Sequence, residues 1–484
     1  MRYLLALFLM ATAGWAVESD KKMNVLFIVS DDMNNDLGAY GHPFVKSPNL
    51  DKLASRGVKF DRAYCQFPWC APSRASFMTG LRPDTTKVMD LTYHFRQGMP
   101  DVVTLPQAFM KAGYFAARVG KIYHYGNPGD IGTSGADDPA SWNQVVNPAG
   151  LDKTTLESDI LVYPPTTGLA SSMSLYADPT GKDEEHTDGK VATEAIKLLE
   201  ANKDKPFFLA VGFYKPHCPW VAPKKWFDMY KVEDEVLPPI ADDWKSTVSA
   251  AAYDTGAKWP YRGVTPDQAR ESRRAYHATI SYVDSQIGRV VEALDRLGLA
   301  KNTIIVFISD HGYHLGEHGL WMKQTCFEEA ARTPLFIVDP RASANGKASK
   351  RTVELVDLYP TLTDLAGVKA PEGLEGVSLR PLLADADAAW NRAAYTQTVT
   401  KGKDKVHGFS LRSERWRFTE WQNAEKSCEL YDHDNDPQEL KNLANNPAYA
   451  KVILEFKAQL KKIHPVVVTP GKAQKKSVEG KKSE

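Results

Sequence analysis

The sequence predicts an α/β protein with a central, mostly parallel β-sheet flanked by helices. Apolar, β-rich runs alternate along most of the chain with segments in which apolar residues recur at helical spacing, the pattern of parallel strands joined through helices. Four apolar runs lead directly into ionisable residues. These runs are 24–30, 114–119, 207–213 and 303–309. Binding sites in such sheets lie beyond the carboxyl ends of the strands, so the same runs predict the place of a site.

Length and composition describe an ordinary globular protein. The chain has 484 residues, 43% of them hydrophobic, which is enough for a large core and more than one domain. Its 60 Lys and Arg residues balance 60 Asp and Glu residues. Because no net charge favours polyanions, the composition argues against a nucleic-acid-binding protein, and any attraction for an anionic substrate must be local.

The N-terminus has the features of a secretory signal peptide over residues 1–16. Arg2 supplies a positive charge, an apolar stretch follows at 3–10, and small residues suited to cleavage stand at 11–16. The apolar stretch is too short to cross a bilayer, and no later run is long enough. We therefore expect an exported protein without a membrane span, in a periplasm or outside the cell.

The cysteines are few and widely spaced for a chain of this length. They are Cys65, Cys70, Cys218, Cys326 and Cys428. An exported location permits disulfides, but this spacing indicates that the fold does not depend on them, and the sequence assigns no pairs.

Acidic residues follow the first and the last of the four runs. Asp31 and Asp32 stand at the end of one, and Asp310 and His311 at the end of the other. One acidic pair after a strand usually caps a turn. Two such pairs on separate strands indicate a cation, because gathered carboxylates repel each other without a positive charge between them. Oxygen ligands suit Ca²⁺ or Mg²⁺, whereas His311 could contact substrate instead.

The motif Cys70-Ala71-Pro72-Ser73-Arg74, with Thr79-Gly80 downstream, organises the chain. A Pro-Ser pair can open a helix, so the Cys70 thiol would lie near unpaired N–H donors at the positive helix end. Arg74 adds a fixed charge that could hold two oxygens of a tetrahedral anion or hold a nucleophile. The alternative is a buried structural cysteine at the start of an ordinary helix.

This motif resembles the signature of the type I sulfatases, in which the cysteine is oxidised to formylglycine after synthesis. Other stretches resemble the same family in the same order and extend the resemblance over nearly the whole mature chain. They are Ser30-Asp31-Asp32, 47–51, Val119-Gly120-Lys121, Lys215-Pro216-His217, 309–312 and 315–319. The segment 83–86, the Gly-Lys-x-x-His spacing of Lys121 and His124, and Lys-Pro-His are most similar to the iduronate 2-sulfatase branch.

The resemblance implies an alkaline-phosphatase-like α/β fold and a role for several residues. The implied calcium ligands are Asp31, Asp32, converted Cys70, Asp310 and His311. It further implies that Arg74 and Lys121 hold the nucleophile and that His124 hydrogen-bonds to it. His217 and Lys323 match contacts to the sulfate and the leaving oxygen. For each histidine taken alone, a core residue with satisfied hydrogen bonds is the alternative.

The chemistry of a hydrated aldehyde explains these residue types. One of its two hydroxyls can attack sulfur, and the other can later collapse to expel sulfate, which neither Ser nor Cys can do. A divalent cation with Arg74, Lys121 and Lys323 would neutralise charge on the sulfuryl oxygens. His217 would protonate the departing alkoxide, and His124 would take the proton released on collapse.

The remaining segments frame this site. Helices are predicted at 188–202, 271–299 and 352–366, where apolar stripes indicate packing. Two long stretches rich in Pro, Gly, Asp and Trp, 125–182 and 220–266, are expected to form the rim of a pocket.

The sequence pattern changes near residue 394, which indicates a second structural unit. The predicted units are a catalytic domain at 23–393, a small α+β subdomain at 394–468 and a disordered Lys-, Ser- and Gly-rich tail at 469–484. In the subdomain, a strand is predicted at 408–419 and a helix at 448–464. Basic Arg412 and Arg417 near Trp421 could contact an anionic sugar, or these residues could merely pack the small sheet.

The sequence thus predicts an exported sulfuric ester hydrolase of sulfated sugars. A polysaccharide or oligosaccharide with uronic acid is the first choice, such as a glycosaminoglycan or an algal polymer. A formylglycine-generating or sulfatase-maturating enzyme would be its partner. The alternatives are a phosphate or phosphonate ester hydrolase on the same scaffold, and a non-catalytic sulfated-glycan-binding protein in which Cys70 is not converted.

Overall fold

A computed structural model describes the chain from residue 22 to residue 464, apart from 165, 255–257, 402–404 and 423–426. The predicted signal peptide at 1–16 and the predicted tail at 469–484 lie outside the described residues. Within those residues, no helix is both long and apolar enough to cross a membrane.

The described residues form 18 β-strands and 13 α-helices. The strands are β1 (Asn24–Asp31), β2 (Val58–Tyr64), β3 (Phe115–Gly120), β4 (Gln144–Val146), β5 (Leu161–Tyr163), β6 (Met173–Asp178), β7 (Phe207–Pro216), β8 (Trp220–Pro223), β9 (Thr303–Ser309), β10 (His314–Leu315), β11 (Trp321–Met322), β12 (Arg332–Thr333), β13 (Leu335–Val338), β14 (Ala348–Glu354), β15 (Ala394–Val399), β16 (His407–Arg412), β17 (Trp416–Trp421) and β18 (Cys428–Asp432). The helices are α1 (Pro48–Arg56), α2 (Cys70–Thr79), α3 (Pro83–Thr86), α4 (Leu105–Lys111), α5 (Leu151–Thr154), α6 (Thr187–Asn202), α7 (Lys224–Phe227), α8 (Trp244–Thr247), α9 (Pro266–Arg296), α10 (Glu328–Ala331), α11 (Leu358–Ala366), α12 (Arg380–Ala384) and α13 (Ala450–Ile463).

The central sheet has nine strands in the order β12-β2-β13-β9-β1-β7-β3-β4, with β14 paired to β2. Every neighbouring pair from β9 to β4 is parallel. On the other side, β13 runs antiparallel to both β9 and β2. The predicted α/β sheet is therefore present, with one mixed edge.

The continuous apolar runs of β1, β7 and β9 follow from burial on both faces of the sheet. All residues of these three strands are buried. Within β1, Leu26 and Ile28 join the core that packs under α6 and α9, whereas Val25 and Phe27 join the core under α2, α4 and α11. A strand covered on both sides needs no polar face, so its sequence does not alternate.

Two predicted helices differ from the structure at their starts. Helix α9 begins at Pro266 rather than 271, because the side chain of Thr265 accepts a hydrogen bond from Gln268 N and proline is suited to a first helical turn. The predicted helix at 352–366 is wrong in its first part. Residues 348–354 form β14, which pairs parallel with β2, and helix α11 starts only at Leu358.

The C-terminal unit is a four-stranded antiparallel sheet, β15 to β18 in sequence order, with α13 packed against it through Phe456 and Leu460. The single strand predicted at 408–419 is wrong. Ser413 N donates to Trp416 O at 2.8 Å, which closes a tight turn and divides the segment into β16 and β17. All five cysteines of the chain are free in the structure.

The suggested substrate contacts of the C-terminal unit are wrong as well. Arg417 is 1% exposed, and its guanidinium pairs with Glu439 Oε1 and with Glu328 Oε2, the latter at 2.5 Å. Buried Trp421 donates its Nε1 hydrogen to Glu429 Oε1 at 2.6 Å. Arg412, 3% exposed, also pairs with Glu328. These side chains join the small sheet to the large domain and cannot reach a substrate.

The Arg417→Ala variant is therefore expected to lose stability. Glu328 and Glu439 would each lose one cationic partner, although Arg412 still pairs with Glu328 and His433 lies 2.8 Å from Glu439, so the loss should not exceed the roughly 3–5 kcal/mol typical of breaking a buried pair. The free energy of unfolding in urea measures the loss. Arg415→Ala is the matched control on the same sheet, because the Arg415 side chain is 48% exposed where it pairs with Asp432, and it should change stability far less. Equal unfolding midpoints for the two variants would contradict this account.

Candidate active site

The site lies at the carboxyl ends of four neighbouring parallel strands, in the order β9, β1, β7, β3. Asp31 ends β1, and Asp310 follows β9 directly. Lys121 follows β3, and His217 follows β7. The four apolar runs of the sequence are thus adjacent in space, and their ionisable ends meet at one edge of the sheet, as expected for this class.

Helix α2 brings Cys70 to the same edge. The helix begins at Cys70 and has no side-chain cap, so the positive end of its dipole and its first N–H groups lie at the site. Gly80 ends it with a φ of +71°, a left-handed conformation that glycine adopts freely. The Thr79-Gly80 part of the motif therefore forms the C-terminal end and cap of helix α2.

The position of Lys121 depends on the close approach of strands β3 and β7. Gly120 has a φ of +71°, and a Cβ built on it would lie 2.1 Å from the carbonyl oxygen of Gly212 on β7. Lys121 N donates to that same oxygen at 3.0 Å. The turn carries the Lys121 side chain into the protein, where Nζ lies 2.5 Å from Asp31 Oδ2 and no part of the side chain is exposed.

Arg74 and Lys323 complete a network of carboxylates and cations. The Arg74 guanidinium bridges two carboxylates, with Nη2 at 2.9 Å from Asp31 Oδ1 and Nε at 2.9 Å from Asp310 Oδ2. The Lys323 ammonium contacts Asp32 Oδ1. Each of the three carboxylates thus has a cationic partner.

Arg74 also forms hydrogen bonds with the backbone. Besides its two carboxylates, Arg74 Nη1 donates to the backbone oxygens of Lys121 and Ile122, at 2.9 Å each, and the side chain is fully buried. Its donors therefore serve to orient Asp31 and Asp310. The predicted contact of Arg74 with the nucleophile stays a prediction.

Electrostatics keep the network ionised. Burial acts to raise the pKa of the Asp31 carboxyl, but the charges of Lys121 and Arg74 outweigh it and hold that pKa well below the usual value. The pKa of Asp32 is lowered in the same way, against its burial. Burial acts to lower the pKa of Lys323, but the charge of Asp32 raises it well above the usual value. These groups stay charged at neutral pH.

The backbone of Asp32 is in an unusual conformation for a residue other than glycine, with a φ of +65°. Two hydrogen bonds hold it there. Asp32 N donates to Asp310 Oδ1 at 3.1 Å, and Asp32 O accepts from the Tyr276 hydroxyl at 2.7 Å. Such strain persists where the surroundings impose it, and it concentrates at functional sites.

Cys70 Sγ lies among several of these polar groups. It lies 3.4 Å from His311 Nε2, 3.3 Å from Lys323 Nζ and 3.9 Å from Asp32 Oδ1. Burial raises the pKa of the Cys70 thiol well above its usual value. A thiol that stays protonated is a poor nucleophile, so this environment does not suit an unmodified cysteine in catalysis.

Two overlapping sets of side chains could hold a metal ion. Asp31, Asp32, Cys70 and His217 offer ligand atoms within 4.8 Å of one another, and so do Cys70, Asp310 and His311. Buried, ionised carboxylate oxygens fit a hard divalent cation. Repulsion between the carboxylates does not by itself require the ion, since three protein cations already pair with them.

His217 is held by its Nδ1, which lies 2.5 Å from Cys218 O and 3.3 Å from Asn127 Nδ2. Its Nε2 faces Asp32 Oδ2 at 3.7 Å. Burial lowers the pKa of His217 to about 4, so the imidazole is neutral at neutral pH in this state of the site.

His124 reaches the same cavity as Cys70. Burial and the charge of Lys121 lower its pKa to about 2, and its Nδ1 is buried without a hydrogen-bond partner. In the described part of the chain, no hydrogen bond joins His124 to Cys70. The predicted bond between them stays a prediction.

Both long loop stretches reach the site. Above Cys70 lies a cavity of about 330 Å³. Its lining includes Asn127 and Ser171 from the first stretch and Arg262 from the second, and Lys401 joins them from the C-terminal unit. None of these four residues belongs to a recognisable motif, so the sequence did not identify them as site residues. The length and composition of the loops were the only signal.

Comparisons with known proteins add independent findings. A family model described as "Sulfatase" matches residues 23–368, and one described as "N-sulphoglucosamine sulphohydrolase, C-terminal" matches 316–465. The chain is 34% identical to the iduronate 2-sulfatase of Homo sapiens, over 88% of this chain and 91% of that protein. It is 31% identical to an arylsulfatase of Clostridium perfringens, over 89% of this chain and 92% of that protein.

A solved structure is similar over the same extent. The phosphonate monoester hydrolase of Agrobacterium radiobacter superimposes with a TM-score of 0.77 at 25% identity, over 92% of this chain and 96% of that chain. The expected alkaline-phosphatase-like architecture, with its small C-terminal subdomain, is confirmed by this similarity in fold and by the second family model.

Proposed function

The chain belongs to the sulfatase family and is a sulfuric ester hydrolase, and on that premise we propose an exported enzyme that removes sulfate from sulfated sugars. The observation that carries the proposal is the position of Cys70, at the start of α2 and within 3.5 Å of His311 and Lys323. An anionic ester bound there would meet the helix end and several fixed cations.

Two groups beyond the twenty amino acids belong to this proposal. Conversion of Cys70 to formylglycine would supply a hydrated aldehyde, with one hydroxyl for attack and one for release of sulfate. A divalent ion, Ca²⁺ with Mg²⁺ as the alternative, would be held by Asp31, Asp32, Asp310, His311 and an oxygen of residue 70, and would add positive charge at the sulfuryl oxygens.

The protein's own cations prepare the site for the anion. Lys121 and Arg74 fix the position of Asp31, and Arg74 also fixes Asp310. Lys323 lies beside residue 70 and stays protonated, so it can donate a hydrogen bond to a sulfuryl or leaving oxygen. Fixed charges of this kind need no reorganisation when negative charge develops.

The two histidines would handle protons. His217 is neutral in the free site, so an arriving anion must raise its pKa before it can protonate the leaving alkoxide. His124 lines the cavity and has a ring nitrogen without a hydrogen-bond partner, but its pKa must also rise when the anion binds before it can accept the proton released as the second hydroxyl collapses.

The proposed substrate is a sulfated oligosaccharide or polysaccharide with uronic acid, from a glycosaminoglycan or an algal polymer. The similarity to iduronate 2-sulfatase supports this class. We further propose export to a periplasm or to the outside of the cell, with maturation by a formylglycine-generating or sulfatase-maturating enzyme.

A panel of esters tests the reaction. We expect turnover of para-nitrophenyl sulfate by purified, matured protein, and much lower kcat/KM on para-nitrophenyl phosphate and on para-nitrophenyl phenylphosphonate. A peptide mass spectrum across Cys70 should show formylglycine in the active preparation. The phosphonate arm is needed because a phosphonate monoester hydrolase shares the fold. A preference for the phosphonate ester would overturn the proposal. An unmodified Cys70 in inactive protein would instead favour a glycan-binding protein.

Chelation is expected to abolish turnover while the protein stays folded. Because Arg74, Lys121 and Lys323 already pair with the three carboxylates, loss of the ion removes substrate charge neutralisation more than structural support. Activity after EDTA treatment and its return with Ca²⁺ or Mg²⁺ measure the first effect, and thermal unfolding followed by circular dichroism measures the second. Full activity in protein shown to be metal-free by elemental analysis would refute the ion site.

A further inference from the structure

A buried cation without an ionic partner lies in the wall of the active-site cavity. Arg262 is 8% exposed and lines the same cavity as Cys70 and Lys323. Its Nη2 donates to Ser171 O at 2.7 Å, and its Nε is buried without any partner. Within the residues that the structure describes, no ion pair includes Arg262.

This arrangement is unfavourable for the protein alone. Burial lowers the pKa of the Arg262 guanidinium, with only the Tyr313 hydroxyl and the Cys218 thiol nearby to act against it. Other buried arginines of this chain, such as Arg74 and Arg417, each bind two carboxylates. Buried charges are normally paired, so an unpaired one at a cavity wall indicates that the partner is the ligand.

The backbone that carries the Arg262 side chain is in a strained conformation. Tyr261 and Arg262 have φ values of +51° and +59°, unusual for residues other than glycine. Tyr261 N donates to Gly319 O at 2.7 Å, which ties the turn to the loop that also carries Lys323. A strained turn held by the neighbouring loop is typical of a segment that positions a functional group.

Lys401 brings a further positive charge to the same cavity from the C-terminal unit. Partial burial and the charges of Arg262 and Lys323 lower the pKa of Lys401, and the charge of Asp254 acts against them. Three cations therefore influence one cavity, although only Lys323 contacts residue 70 directly.

We propose that Arg262, assisted by Lys401, forms a subsite for a second anionic group of the substrate, either a ring carboxylate or a second sulfate. The inference rests on the proposed sulfatase function and narrows its substrate to sugars with at least two negative charges. A guanidinium can bind either group through two parallel hydrogen bonds. Its role is in specificity, since the groups around Cys70 are the ones proposed to bind the scissile ester.

The test compares three probes on the wild type and on Arg262→Gln. The first is a uronic acid with one O-sulfate, the second is glucosamine with an N-sulfate and an O-sulfate, and the third is N-acetylglucosamine with one O-sulfate and no other charge. We expect the variant to lose about tenfold or more in kcat/KM, mainly through KM, on one or both doubly charged probes relative to the third. Comparing variant-to-wild-type ratios cancels differences in sulfate position.

Two controls separate the possible outcomes. Arg270→Gln removes an arginine near the start of α9 whose side chain is 37% exposed where it pairs with Asp267, and it should leave all ratios unchanged. Lys401→Gln should weaken the same doubly charged probes, to a lesser degree. A selective loss on the first probe identifies a carboxylate as the ligand, and one on the second identifies a sulfate.

Equal losses on all three probes, or no loss on any, would overturn the subsite while leaving the sulfatase function intact. Failure of the wild type on every probe and on para-nitrophenyl sulfate would instead overturn the proposed function, and the subsite with it.

Discussion

Replacement of Cys70 by Ala is expected to leave a folded protein whose sulfatase turnover is lower by at least about 10⁴-fold. The substitution removes one buried sulfur atom, but without that sulfur the Cβ of residue 70 cannot be oxidised to the aldehyde of formylglycine. Activity on para-nitrophenyl sulfate and the unfolding midpoint, measured on the same preparation, check the two halves of this expectation.

Two further variants sharpen that experiment. Cys70→Ser should be as poor in turnover, because a sulfated serine has no second hydroxyl to expel sulfate. Cys65→Ala is the matched control: Cys65 is equally buried, packs in the core, and its Sγ lies 3.9 Å from the carbonyl oxygen of Ala330, so activity should persist. A substantial fraction of wild-type activity in Cys70→Ala would show that residue 70 is not the nucleophile.

The second large effect is expected for Arg74→Met. Methionine fills part of the volume but leaves Asp31 and Asp310 buried without the guanidinium that joins them. Loss of one partner from a buried pair typically costs about 3–5 kcal/mol, and turnover should fall with it because the carboxylates lose their orientation. Urea unfolding and the activity per folded molecule are the measurements.

Arg118→Met distinguishes lost stability from lost chemistry. Arg118 is also fully buried and also pairs with an aspartate, Asp137, at 2.5 Å. Its loss should destabilise the protein comparably, yet folded molecules should keep far more activity than those of Arg74→Met. Similar activity per folded molecule in both variants would mean that Arg74 contributes to the fold alone.

The place of the site was predictable because it depends on strand ends. Runs such as 303–309 are buried on both faces, so their sequences are continuously apolar, and the polar residues that follow must lie at the sheet edge. Motif spacing identified Asp31, Asp310 and Lys121, which the structure places within one network.

Other expectations failed where a distant partner decides the structure. The helix predicted at 352–366 is wrong at its start, because residues 352–354 belong to β14, which pairs with β2 almost 300 residues earlier. For Arg417 the sequence left two readings open, a contact to an anionic sugar or packing of the small sheet, and the structure agrees with the second. The buried Arg417 side chain pairs with Glu328 and Glu439. These two glutamates come from separate segments, and neither is close to Arg417 in sequence.

The sequence by itself determined the α/β class, the family and the residues at the strand ends, because each follows from local order along the chain: continuous apolar runs, helix-opening residues and short motifs. Only the tertiary structure decided that Arg74 bridges two carboxylates, that three cations already balance the proposed ion site, and that unpaired Arg262 faces the cavity. Pairing of charges is a property of positions in space. Residues that are far apart in the chain come together only on folding. A local sequence pattern therefore does not predict which cation pairs with a carboxylate of the protein and which stays available for a ligand.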